Sequence, residues 1–214
     1  MRQRWYEKSI RRNLLDFHID EWNPLFLSKL DPAHFAECAA TLKSTAATVF
    51  ANTHTGLCNY PTTVGEMHAG LKGRDALGEL ISALHRRGID VVVYYVMIFA
   101  DWYWDNHPDA RIVDANGQAI KVLINSKGSP RRFSTTCPNN VDYRRFVVAQ
   151  IEEICDGSEF EGVWPDMTFW PTICYCASCR ERYSREVGGE IPRVIDWEDP
   201  VWVGFQRKRQ EGMV

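Results

Sequence analysis

Residues 89–99, IDVVVYYVMIF, constrain this chain more than any other segment. The run is apolar but for Asp90, rich in β-branched and aromatic residues, and far too short to span a bilayer. It reads as a strand covered on both faces, the kind found inside a parallel sheet with helices packed over it. The residues before it supply one such helix. Leu77, Leu80, Ile81 and Leu84 share a face, and Arg86-Arg87-Gly88 closes the pattern.

The same rhythm recurs along the chain. Residues 13–20 (NLLDFHID) read as a short strand ending in polar residues. Asp31-Pro32 then opens a helix, with aspartate as N-cap, proline in the first turn, and Phe35, Cys38, Ala39 and Leu42 on one face. Residues 46–52 (AATVFAN) read as a second strand, followed by a loop rich in Gly, Thr, Pro and Tyr. Beyond the third strand, residues 100–140 interrupt the rhythm, with a hairpin turn predicted at Asp114-Ala-Asn-Gly117. Val147, Ile151 and Ile154 predict a helix over 141–155, and residues 160–167 (FEGVWPDM) a fourth strand. A short helix over 177–187 stops at Gly188-Gly189, and the tail from Ile191 holds one more.

Four strand–helix units in succession imply an α/β fold with a parallel sheet and right-handed crossovers. A doubly wound sheet carries a glycine-rich phosphate turn after its first strand, and HIDEWNP has no glycine. A (β/α)8 TIM barrel instead puts functional polar residues at the C-terminal strand ends. Here those ends read His18 and Asp20, Asn52 and His54, Asp101 and Trp102, and Asp166. The barrel is the better fit. A full one takes about 250 residues, and most of these 214 are spent on four units. The expectation is one partial barrel domain over residues 1–214, the N-terminal half of something longer. Its two unpaired sheet edges would favour homo-oligomers.

Composition narrows the partners. A net charge of −3 argues against nucleic acid and anionic membrane surfaces. No run of 18 apolar residues and no signal-peptide core is visible, so the expected compartment is the cytoplasm. Eight Trp, eight Tyr and ten Phe suit a deep core, and equally a site that stacks sugar rings.

Asp166 lies at the end of the fourth strand in EGVWPDMTFW, among Trp164, Phe169 and Trp170. A carboxylate in that setting suits glycoside hydrolysis, which ordinarily takes two carboxyls across the bond. A plain loop cap accounts for it equally well. His18 and Asp20 alternate on strand one and so share a face, and His54 follows strand two in NTHTG. Singly each reads as part of a structural hydrogen-bond ring; as a convergent set they read as contacts to sugar hydroxyls. Trp102 and Trp104 in ADWYWDNHPD read equally as a stacking wall for a sugar and as plain core, and Trp164 is a further candidate sugar contact. His68 and His107 read as loop packing.

The cysteines carry the sharpest local signal. Cys174, Cys176 and Cys179 crowd three of the chain's seven thiols into six residues at the opening of a helix, where the helix dipole favours thiolate. A structural zinc takes four such ligands in a closed tetrahedron. Cys137 in STTCPNN is the best candidate for the fourth and Cys58 the second; reduced thiols without metal are the alternative.

The succession HID, THTGLCNYPTTVGEMH, IDVVVYYV, CPNNVDYRRFVVAQIEEI, EGVWPDMTFWP, CYCASC, RERY and GGEIP resembles the hypothetical glycosyl hydrolase 6 family across most of residues 5–205. That resemblance implies a TIM-barrel glycosidase related to α-L-fucosidases. In fucosidase-like barrels the strand-four aspartate is the nucleophile, the role implied for Asp166. Their strand-two loop carries sugar-binding histidines in a KHHDGF-like motif, of which His54 keeps one. The thiols are similar to those of family-42 β-galactosidases, in which a cysteine before the third helix and a CxCxxC after strand four hold zinc. The matching positions are Cys137, Cys174, Cys176 and Cys179. In that family the strand-four carboxylate is a glutamate acid/base, where this chain has Asp166. The resemblance implies a hydrolase of O-glycosidic bonds with a carbohydrate substrate. The alternative is a zinc-containing carbohydrate-binding or structural half-barrel, since one carboxylate cannot run a two-carboxylate mechanism.

Overall fold

The structure, a computed structural model, describes residues 4–120 and 133–212. They form two compact units, Met1–Val96 with Val148–Asp166, and Met97–Val147 with Met167–Val214.

The first unit is built on a parallel sheet of β1 (Arg12–Leu14), β2 (Ala46–Phe50), β3 (Asp90–Val96) and β4 (Gly162–Asp166). Spatial order follows chain order, β1-β2-β3-β4. A doubly wound sheet reverses direction partway across; this one does not, which is the topology of a (β/α) barrel. Helix α1 (Pro32–Thr41) links β1 to β2, and α2 (Ala76–His85) links β2 to β3. Both begin where local chemistry dictates. The Asp31 carboxylate accepts from the amides of Ala33 and His34, and the Asp75 carboxylate from that of Gly78. Leu77, Leu80, Ile81 and Leu84 form the buried face of α2. Gly88, at φ +69°, turns the chain back into β3. From Val91 to Val96, β3 is buried throughout, as its unbroken apolar run requires.

The first strand is shorter than expected. The predicted run over 13–20 pairs only as far as Leu14, so His18 and Asp20 stand on the loop beyond β1. The cause is local: the Asp16 carboxylate accepts from the amide of His18 at 2.8 Å, and Ile19 N–H bonds to Phe17 O. These turns divert the backbone from the ladder.

Helix α3 (Val141–Gly157) contributes its residues from Val148 onward to this unit. Gln150 is fully buried, yet satisfied. Its Oε1 accepts from Tyr95 Oη at 2.6 Å and its Nε2 donates to Cys58 Sγ at 3.0 Å. Glu153 accepts from Thr62 Oγ1 at 2.6 Å and from the Thr63 amide at 2.7 Å, anchoring the loop after β2.

The second unit holds a short helix (Asp101–Asn106), the start of α3, α4 (Ala177–Glu186) and α5 (Pro200–Glu211). The hairpin turn forms as predicted: Val113 bridges Ala119, and Gly117 takes φ +79°. Residues 121–132 of this stretch lie outside the described residues. The core joins four cysteines to Tyr183, Trp202 and Phe205. The aromatic tail thus builds a core of its own, while Trp197 stays 61% exposed. Among the described residues no helix is long and apolar enough to cross a membrane.

Candidate functional site

The first cluster grows out of sheet register. Phe50 on β2 pairs with Tyr94 on β3, and Tyr94 pairs with Trp164 on β4. In a parallel sheet, paired residues present their side chains to the same face. The Phe50 and Tyr94 rings accordingly stack at 4.0 Å, and Trp164 meets Tyr94 edge-on at 5.8 Å. Two residues on, Val96 pairs with Asp166, so Asp166 follows Trp164 on that face at the end of β4. Tyr94 Oη donates to Asp166 Oδ2 at 2.7 Å. Burial, and then the bond to Asp166, push the phenol's pKa well up, so Tyr94 keeps its proton and remains a donor at neutral pH. Immediately after Asp166, Met167 takes φ +58°, a left-handed conformation that turns the chain sharply out of the strand.

The loop beyond β1 brings the histidines to the same place. His18 Nε2 lies 3.4 Å from Tyr94 Oη, and its Nδ1 is held by Asp16. Burial works against the Asp16 carboxylate, but hydrogen bonds from the His18 backbone and ring win and hold its pKa below the ordinary range. The rings of His18 and His54 stack at 5.7 Å. The His54 side chain is fully buried, with Nε2 3.0 Å from Asp20 Oδ1. His68 is structural, as expected: its Nε2 meets the Asp20 carbonyl at 3.0 Å and its Nδ1 accepts from the Gly70 amide.

His18, Asp20, His54, Trp164 and Asp166 therefore gather within one unit. Trp164, at 42% exposure, offers a flat apolar surface beside the carboxylate. Trp102 belongs to the second unit, where it stacks on Phe146 at 6.0 Å beside the Tyr103–His107 pair. That is the packing role the sequence offered as its other reading. The sequence does not single out Tyr94 or Asp16: Tyr94 lies inside the apolar run of its strand, where nothing local sets it apart from its neighbour Tyr95.

The second cluster lies wholly in the second unit. Cys137, Cys174, Cys176 and Cys179 are all buried, with their sulfurs within 4.8 Å of one another. Cys137 Sγ is 3.4 Å from that of Cys179 and 3.5 Å from that of Cys176. A tetrahedral zinc with 2.3 Å bonds spaces its sulfurs about 3.8 Å apart, so the four suit a metal ion with little adjustment. Cys176 is the N-cap of α4. Its amide lies 3.5 Å from Cys174 Sγ, and Asn139 Nδ2 donates to Cys179 Sγ at 3.3 Å. Hydrogen bonding with Cys137 holds Cys176 far below the ordinary thiol range, readying one thiolate ligand. Cys58, the second choice for fourth ligand, lies in the first unit and takes its hydrogen bond from Gln150.

The family described as hypothetical glycosyl hydrolase 6 matches residues 31–167. No curated protein matches the chain. Among solved structures it is similar to α-L-fucosidase isoenzyme 2 from Paenibacillus thiaminolyticus, with a TM-score of 0.76 and 22% identity over 99% of this chain and 29% of that one. It is also similar to a hypothetical protein from Ruminiclostridium thermocellum, with a TM-score of 0.51 and 14% identity over 66% of this chain and 71% of that one. Both are likenesses of fold. The chain spans about 29% of the fucosidase's length.

Proposed function

The chain belongs to the hypothetical glycosyl hydrolase 6 family, and from that premise we propose that it is the catalytic-face portion of a glycoside hydrolase, with residues 1–214 forming one glycosidase-like domain. Its substrate is a carbohydrate and the bond cleaved an O-glycosidic bond. Asp166 is the nucleophile. Trp164 stacks against the sugar, and His18, Asp20 and His54 bind its hydroxyls or orient the groups that do. One observation carries this reading: Asp166 ends β4 beside the exposed Trp164, with Tyr94 donating to the oxygen Oδ2 at 2.7 Å. That bond fixes one carboxylate oxygen and leaves Oδ1 for the anomeric carbon.

Zinc is the metal we assign to the four cysteines, because a compact set of four sulfur donors suits it. Four thiolates fill the coordination shell, so the ion is structural and ties Cys137 to the segment that opens α4. Free thiols throughout the described chain fit a reducing compartment, and the cytoplasm is the one we propose.

The test is turnover of a panel of aryl glycosides, with an aryl α-L-fucoside included because of the fold shared with the Paenibacillus enzyme. Asp166→Asn is expected to lower kcat by orders of magnitude. Asp166→Gly with added azide should recover part of the rate by supplying an external nucleophile. Near-normal turnover of Asp166→Asn would remove the assignment.

A further inference from the structure

Arg209, on α5, is 2% exposed. Its guanidinium lies 3.7 Å from the centre of the Trp170 ring and 5.9 Å from that of Phe205, and Nη1 donates to Gln206 Oε1 at 2.7 Å. Among the described residues Nε and Nη2 find no hydrogen-bond partner. Among the described residues no carboxylate pairs with it. A buried cation held only by a ring face and one amide is costly, because desolvation far exceeds what those contacts return. An arrangement of this kind calls for a nearby negative charge.

The same core supplies one. Phe205 and Trp170, against which the guanidinium lies, pack in the core that holds the four thiols, and Arg182, which donates to the Lys208 carbonyl next to Arg209, reaches Asn139, the donor to Cys179 Sγ. Four thiolates around a divalent cation carry a net charge of −2, and here they would do so among Tyr183, Trp202 and Phe205. Arg182 is already engaged, donating to Glu186 Oε1 at 2.8 Å and to Asn139 Oδ1 at 2.8 Å.

We infer that Arg209 is the counter-ion of the four-cysteine metal centre, a buried guanidinium that offsets its net negative charge without ligating the ion. This rests on the metal reading of the thiols given above. Each charge compensates the burial cost of the other, so the metal-loaded core is stable while the metal-free core holds an uncompensated cation. The coupling has a signature that ordinary packing lacks. Replacing Arg209 with an apolar side chain harms the loaded protein and relieves the empty one.

The experiment uses the full chain with Arg209→Met, Arg209→Lys and Arg209→Gln. Zinc affinity is read by chelator competition, and melting temperature with zinc and with excess chelator. Arg209→Met is expected to weaken zinc binding about 10- to 100-fold, the usual effect of losing a supporting group around a metal, while Arg209→Lys stays within a few-fold of the parent. In chelator, Arg209→Met should melt at or above the parent temperature. Unchanged zinc affinity, with equal losses of melting temperature in both conditions, overturns the role of Arg209 and leaves the metal site standing. A parent protein that takes up no zinc overturns both. If Arg209→Met does not fold, the ratio of zinc affinities of the Lys and Gln variants decides: a ratio of ten or more in favour of Lys supports the charge role, and a ratio near one overturns it.

Discussion

The phenol of Tyr94 donates to Asp166 Oδ2 across 2.7 Å although the residues are 72 positions apart in the chain. They meet because β3 and β4 pair in parallel with Tyr94 opposite Trp164, which sets Asp166 one same-face step further along. Tyr94 is thus a positioning residue for the carboxylate. Tyr94→Phe keeps the stack on Phe50 and removes only the donor. A hydrogen bond to a charged group is worth about 1.5–3 kcal/mol, so kcat should fall about 10- to 100-fold with little change in KM or melting temperature. A variant that lost KM or stability instead would show the hydroxyl acting elsewhere.

Burial raises the pKa of Glu153, but the bonds from Thr62 and Thr63 outweigh it and hold the carboxyl below its ordinary range. Folded protein therefore binds fewer protons at this site than unfolded protein. The stabilisation is present above the unfolded carboxylate pKa and disappears as pH falls through the lower folded value. Glu153→Gln should flatten that part of the acid limb and cost about 1–2 kcal/mol at neutral pH through the lost charge-assisted bonds. Urea titrations at a series of pH values between neutral and acid would reveal an acid limb unchanged by the substitution if the effect lies elsewhere.

Zinc removal should loosen the second unit. Cys137 reaches the cluster from 37 residues before Cys174 in sequence, so an ion held there would clamp two distant segments. Protein purified without chelator should carry about one zinc per chain by elemental analysis. Cys176→Ser should lose it and melt at a lower temperature.

Gly70 has no room for a side chain: a Cβ there would sit 1.8 Å from the backbone oxygen of Phe26. Its amide also donates to His68 Nδ1, and His68 in turn meets the Asp20 carbonyl. Gly70→Ala must displace backbone, and should cost about 2–4 kcal/mol. A denaturant midpoint equal to the parent's would mean that the loop yields freely.

Leu14 on β1, and Val163 and Trp164 on β4, remain exposed on the two outermost strands of the sheet. Edges and apolar surface of this kind favour association between copies. Light scattering should report mass rising with concentration; a monodisperse monomer at every concentration would count against it.

Much of the fold was legible locally. The Asp31-Pro32 start, the leucine face of α2 and the buried run of β3 are encoded within a few residues of themselves, because caps and periodicity act over one or two turns. The crowding of Cys174, Cys176 and Cys179 is equally local, and a strand-end aspartate among aromatics could be read directly. Local signals misjudged β1, where a single side chain, Asp16, bends the backbone away from a ladder that the apolar residues alone would have continued. They could not say where the tail would go: the sequence marks only one more helix there, and packing alone carried Trp202 and Phe205 into the cysteine core. Nor could they join Tyr94 to Asp166. That contact depends on strand register, which the whole sheet sets by burying its apolar residues together, and no window of neighbouring residues contains it.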